Sequence, residues 1–257
     1  MNYQDRISQY LSGKKTKWLL RHREYTFTHG DVCLKHLFVP HRKSNTLIVV
    51  FSGMNPQRAS YSYLNLLNGI PHNRLYILDD FGDPVLGCYY RGTNLQDQVE
   101  QAVDALLKHV VAEHGFDRLI FCGSSKGGYA ALNFGLNYPD STIITGAPQY
   151  YLGYYLTHRR SPQLLQIIAG EQHTEDDIAA IDRHLSGKIT KQANAFRGKI
   201  YLHYSTQEHT YPEHIQQLLA DLKHNGYSVV EDIHDYPNHD DVATWFPPFL
   251  KRILSEY

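Results

Sequence analysis

The sequence predicts a protein of the α/β class, built on a mostly parallel, doubly wound sheet. Three observations predict it. Apolar runs at Leu47–Phe51, Leu75–Leu78, Leu119–Cys122 and Ile200–Tyr204 suit strands covered on both faces, as parallel sheets require. Segments with helical periodicity separate these runs. One strand passes directly into a helix through the small residues of Gly123-Ser124-Ser125-Lys126-Gly127.

The elements follow in order. Residues 17–39 read as two or three short strands, with Tyr25, Phe27, Val32, Leu34, Leu37 and Val39 around a His29-Gly30-Asp31 turn. The strand Leu47–Phe51 ends at Ser52-Gly53, and residues 56–69 are expected to be helical. Leu75–Leu78 ends at Asp79-Asp80. Leu95, Val99, Val103, Leu106, Leu107 and Val110 recur at helical spacing, and Thr93 with Gln96 has the form of a capping box. A helix is expected from about residue 126 to Tyr138, closed by Pro139.

A short strand, Thr142–Ile144, precedes Gly146-Ala147-Pro148. Residues 150–195 break the alternation, read as helical in pieces and are expected to form a cap over the sheet. Ile200–Tyr204 resumes the pattern. Ile215, Leu218, Leu219 and Leu222 mark a helix stopped by Asn225-Gly226. Tyr227 to Tyr236 is a strand, and a final helical region must restart or kink at Pro247-Pro248. With no internal repeat, residues 1–257 read as one domain with a helical cap insertion at 150–195.

Composition narrows the function. The 257 residues carry 25 Lys and Arg against 26 Asp and Glu, with no basic run, which disfavours nucleic acid as the main partner. No uninterrupted apolar run approaches the roughly 20 residues of a transmembrane helix. The first eighteen residues lack a signal-peptide pattern. Cys33, Cys88 and Cys122 have neither metal-ligand spacing nor an even count for a disulfide framework. These features point to the cytoplasm. The 16 His include no H-E-x-x-H pair, so no metal centre is expected. Among the 20 Tyr, the pairs at 89–90, 150–151 and 154–155 follow expected strand ends, where rings serve a cleft or packing equally well.

The chemistry centres on the G-x-S-x-G turn. A buried strand leads in and a helix leads out, as a nucleophile elbow of the α/β-hydrolase fold requires. Such a turn lifts the Ser125 hydroxyl off the sheet near the positive end of a helix. Ser124 is the other hydroxyl there, but it precedes the apex. A serine needs a base, and in this fold the acid and then the histidine follow it along the chain. His239, in Tyr236-Pro237-Asn238-His239-Asp240, lies after the last strand; His234 competes but falls within the strand pattern. Glu208, after Ile200–Tyr204, fits the acid, with Asp235 and Asp240 as alternatives. The oxyanion donors are expected to be the backbone N–H of Lys126 and that of Gly53 or Met54.

These residues resemble a known family. Gly123-Ser124-Ser125-Lys126-Gly127-Gly128 followed by Gly146-Ala147-Pro148-Gln149 is similar to the α/β-hydrolase-type O-acetyltransferases of bacterial capsule biosynthesis. Phe51-Ser52, Arg91-Gly92-Thr93 and Asn238-His239-Asp240 also match. The resemblance runs from about residue 47 to the end and is absent from the first 40 residues. It implies an acetyl-CoA donor, a polysaccharide acceptor with a sugar hydroxyl, and Ser125 and His239 as catalytic residues. The family carries Asp where this chain has Glu208, and a Gly after Tyr204 that this chain lacks.

The expected reaction is acetyl transfer through an acetyl-serine. Arg91, Tyr89, Tyr90 and Gln149 are candidate substrate contacts, and Arg91, Lys126, Arg159 and Arg160 candidate partners for phosphates or an anionic polymer. Two other readings stand: a serine esterase or deacetylase with the same triad, and an inactive hydrolase-fold subunit of a polysaccharide-assembly complex. No permanently bound cofactor is expected. A homo-oligomer is compatible with the sequence, which does not specify the acceptor sugar.

Overall fold

A computed structural model describes residue 14, residues 16–159 and residues 162–257. Eight strands form one sheet: β1 (Glu24–His29), β2 (Val32–Val39), β3 (Thr46–Phe51), β4 (Asn73–Ile77), β5 (Arg118–Ser124), β6 (Thr142–Gly146), β7 (Lys199–Ser205) and β8 (Val229–His234). Their order is β1-β2-β4-β3-β5-β6-β7-β8. β2 runs antiparallel to both neighbours, and all other pairs are parallel. The expected mostly parallel α/β sheet is therefore present.

The helices are α1 (Gln98–His114), α2 (Lys126–Gly135), α3 (Leu152–His158), α4 (Pro162–Ala169), α5 (Glu175–Gln192), α6 (Gln216–His224) and α7 (Val242–Leu254). The β3 side chains alternate between two cores because successive strand residues point to opposite faces. Val49 and Phe51 join residues of α1, α2, α5 and α6 on one face. Ile48 and Val50 join α7 and residues 64–70 on the other. All six residues of β3 are buried, which explains its unbroken apolar run.

Several expectations need correction. Residues 16–23 are helical, not extended; Leu, Lys and Arg in this stretch favour a helix. Residues 56–69 form bends and turns. There the Asn55 carbonyl oxygen accepts from the Gln57 N–H and the Ser62 hydroxyl from the Gly53 N–H, so side chains compete with the helical ladder. Helix α1 begins at Gln98 and has no capping box. Thr93 pairs instead with the Gln98 side chain, and Leu95 lies exposed before the helix. Helix α7 runs through Pro247 and Pro248. The carbonyls denied a donor belong to Ala243 and Thr244, on the helix's exposed side.

Helix α5 occupies the crossover from β6 to β7 and packs on α2 and α6. Its start carries a full capping box, Thr174 with Asp177. The three cysteines are free thiols. Among the described residues, no helix is long and apolar enough to cross a membrane.

Candidate active site

The elbow between β5 and α2 is enforced by close backbone contacts. A Cβ on Gly123 would lie 2.4 Å from the Gly127 carbonyl oxygen, and one on Gly127 would lie 2.6 Å from that of Phe51. Neither separation is possible, so both positions require glycine. Ser125 sits between them at φ 52°, ψ −122°, a strained conformation for a residue with a side chain. Its N–H donates to the Gly146 carbonyl at 2.8 Å, pinning the elbow to β6.

The turn delivers the Ser125 hydroxyl to His239, with Oγ 2.8 Å from Nε2. The other ring nitrogen, Nδ1, lies 2.9 Å from Glu208 Oε2. Because the carboxylate only accepts, Nδ1 carries the proton and Nε2 accepts from the serine hydroxyl. Glu208 is 1% exposed, and its second oxygen accepts from the Thr210 hydroxyl at 2.5 Å. His239 opens a single 3-10 turn, His239–Asp241, after β8. The three residues selected from the sequence thus form one continuous relay. His234 points elsewhere, toward Asp232. Ser124 is engaged with the Tyr63 hydroxyl at 2.6 Å.

Gln149 completes the cluster. Its fully buried amide donates to Ser125 Oγ at 3.1 Å and lies 3.4 Å from His239 Nε2. The sequence marks it as a substrate contact, and the structure makes it a partner of the Ser125 hydroxyl. A cavity of about 270 Å³ opens beside Ser125, with Gly53, Met54, Tyr63, His239 and Val242 in its wall. Lys126 opens α2, so its N–H has no intrahelical acceptor and is free to meet an oxyanion. The Gly53 N–H is already given to the Ser62 hydroxyl at 3.0 Å, which leaves Met54 as the candidate second donor.

Other expected contacts move inward. The Lys126 side chain is 1% exposed; its ammonium donates to Asp79 at 3.0 Å and to the Leu86 carbonyl at 2.8 Å. It cannot meet phosphates. Asp79 also accepts from the Cys88 and Tyr90 N–H groups, so the pair ties residues 79–90 to the elbow. Tyr89 and Tyr90 are core residues, and the Tyr90 hydroxyl donates to the Ile77 carbonyl at 2.9 Å. Arg91 is buried in ion pairs with Asp97 and Glu100. Burial alone would raise the Glu100 carboxyl, but His184, Lys188 and Arg91 hold it well below the usual carboxylate range. Arg160 lies outside the described residues.

A second depression, of about 410 Å³, lies beyond His239 and is walled by Tyr155, Arg159 and His209. Among the described residues, the 150–195 segment contributes here and not to the wall beside Ser125. Arg159 pairs with Glu213, which His209 also contacts at 3.1 Å. His214 is buried beneath, accepting from the Tyr151 N–H at 3.3 Å, and burial pushes its imidazole down to about 4. Tyr63 and His209 escaped the sequence reading. Tyr63 lay in a stretch read as helix, and no motif marks His209.

Neither protein-family models nor curated proteins match this sequence. Solved structures do. The capsule O-acetyltransferase of Neisseria meningitidis serogroup A superposes with a TM-score of 0.70 at 20% identity, over 90% of this chain and 94% of that one. A mutant of that enzyme in complex with CoA gives 0.71 at 20% identity, over 90% and 94%. A fluorophosphonate-binding serine hydrolase of Staphylococcus aureus gives 0.60 at 11%, over 91% and 96%. At these identities the likeness is one of fold: the chain has an α/β-hydrolase-like architecture similar to that of a capsule O-acetyltransferase.

Proposed function

We propose that this chain is a serine-dependent O-acetyltransferase that moves an acetyl group from acetyl-CoA to a hydroxyl of a bacterial capsular polysaccharide. The observation that carries the reading is the Ser125–His239–Glu208 relay, with contacts of 2.8 and 2.9 Å, at the mouth of a cavity. The capsule O-acetyltransferase fold, one example of which holds CoA, supports the choice of donor and acceptor.

The reaction has two halves. His239 Nε2 takes the Ser125 proton as Oγ attacks the thioester carbonyl. The N–H groups of Lys126 and Met54 receive the oxyanion. Collapse breaks the C–S bond, and the imidazolium returns its proton to the thiolate, leaving acetyl-Ser125 and CoA. A sugar hydroxyl then gives its proton to His239 and attacks the ester. Collapse restores the serine, which recovers the proton. Glu208 holds the imidazole in its Nδ1–H form and stabilises the imidazolium in both halves. Gln149 donates to Oγ and stabilises the negative charge that gathers there. Arg159, at the rim beyond His239, is the available cation for an anionic substrate once Glu213 releases it. The whole chain serves as one catalytic domain, with residues 150–195 as its cap.

The decisive experiment follows both products of acetyl-CoA turnover, with and without capsular polymers. Polymer-dependent CoA release with acetyl found on the polymer supports transfer. Release that no polymer accelerates, with all acetyl as free acetate, removes the transferase reading in favour of an esterase. That second reading has its own support, since the same relay lies on a fold shared with a serine hydrolase. A folded protein whose Ser125 resists a fluorophosphonate probe would be neither.

A further inference from the structure

A second constellation lies on the sheet's far edge, apart from Ser125. His203 on β7 stands directly opposite Asp232 on β8, and His234 follows Asp232 by two residues. A spacing of two returns a strand side chain to the same face, so all three point to one side of the sheet. Both imidazoles converge on one carboxylate oxygen. His203 Nδ1 is 2.7 Å and His234 Nε2 3.3 Å from Asp232 Oδ2. The three donor atoms lie within 4.8 Å of one another.

We propose that His203, Asp232 and His234 form a binding site for a divalent transition-metal ion of the zinc type. Two imidazole nitrogens and a carboxylate oxygen are a donor set that zinc takes. Bonds of about 2.0–2.2 Å in a tetrahedron place donor atoms roughly 3.3–3.5 Å apart. The His234–Asp232 edge, at 3.3 Å, meets this spacing already; the His203–Asp232 edge, at 2.7 Å, opens as the ion replaces the hydrogen bond, and rotation of the partly exposed His234 closes the third. The surroundings suit the role. The Tyr236 hydroxyl lies 3.2 Å from His203 Nε2, and Arg252 Nη2 lies 3.1 Å from Asp232 Oδ1. These partners leave Nδ1 and Oδ2 aimed at the ion, as outer partners of metal ligands do.

Coordination through Nδ1 changes the His203 tautomer. Nδ1 gives up its proton while Nε2 gains one, which it donates to Tyr236. His203 itself is fully buried, whereas the Asp232 and His234 side chains are 17% and 33% exposed, leaving an entry and room for a water ligand. The Trp245 ring lies tilted against the His234 ring, centroids 4.8 Å apart, and shields one side.

The ion would clamp the two strands that supply the acid and base. Glu208 follows the end of β7, and His239 follows the end of β8. Just above the cluster, the Ser205 hydroxyl donates to the Tyr236 carbonyl at 2.7 Å and accepts from its N–H at 3.1 Å. A bound ion adds a bond across the same pair of strands.

The test uses the full chain stripped with a chelator, loaded with Zn2+, desalted and assayed for metal, with Co2+ as a spectroscopic probe. The expected result is one retained equivalent, a raised Tm and the visible bands of tetrahedral Co2+. His234→Gln and Asp232→Asn, each checked by circular dichroism, should weaken Zn2+ binding roughly tenfold or more and abolish the Tm shift. His239→Gln should keep the equivalent. The proposal falls if the wild type retains no Zn2+, or if both β8 variants bind as tightly as it does. Loss of the ion in His239→Gln alone would place it in the serine relay and also overturn the proposal.

Discussion

The proposed nucleophile and the proposed base are held in opposite ways. Ser125 sits in an elbow whose neighbours are packed backbone to backbone, with α2 buried along its whole length. His239 sits on one 3-10 turn flanked by exposed Pro237, Asn238 and Asp240. The serine is placed by the core itself. The histidine is placed by hydrogen bonds to Glu208, Ser125 and Gln149. A close-packed interior has one arrangement, whereas a hydrogen-bonded loop keeps its geometry only while its partners remain.

The contrast can be broken from either side. Ser125→Ala removes the proposed nucleophile but leaves the elbow intact. Turnover should fall by about 10⁴–10⁶ in an acetyl-CoA assay with no change in urea midpoint. Glu208→Gln attacks the base through its support, and kcat should fall on the order of 10⁴ as the imidazole loses its required tautomer. If kcat stays within a few-fold of wild type, the loop does not depend on this partner.

Gly127→Ala attacks the elbow instead. Its Cβ would overlap the Phe51 carbonyl, so stability should drop by about 1–3 kcal/mol in chemical denaturation, and activity with it. A variant as stable as wild type would show that the elbow is softer than the packing implies.

His214 tests the base's side by pH. Its folded-state value near 4 lies below the unfolded value of about 6.5, so the unfolded chain binds protons more tightly between them. The contribution is fully present above pH 6.5 and is lost as pH falls toward 4, by about 2–3 kcal/mol. His214→Gln should flatten that part of the stability profile. The smallest effect belongs to Gln149→Met, which removes one donor from Ser125 Oγ and should lower kcat about tenfold with KM little changed. An unchanged kcat would show that Gln149 only fills space.

Much of this arrangement is legible in the sequence. The β3 and β5 runs, the glycines around Ser125 and the start of α2 are local signals, and each reports its own element; the end of α2 falls at Gly135, short of the expected stop before Pro139. Glu208 and His239 were legible because the fold's chain order restricts where each partner can sit. The errors share one cause. Residues 56–69 carry helical periodicity in part, but Asn55, Ser62 and Tyr63 make contacts that no spacing rule contains. Arg91 and Lys126 look like surface cations until Glu100 and Asp79 are brought beside them.

The sequence by itself marked most of the strands and helices and the elbow, and it singled out Ser125, His239 and Glu208 as the first choices for the relay. These depend on periodicity, on the steric freedom of glycine and on order along the chain. Only the tertiary structure decided which hydroxyl Gln149 meets, which amides remain free for an oxyanion, and that His203 faces Asp232 and His234 across two strands. Such pairings join residues tens of positions apart, and their distances exist only once the sheet has set its register.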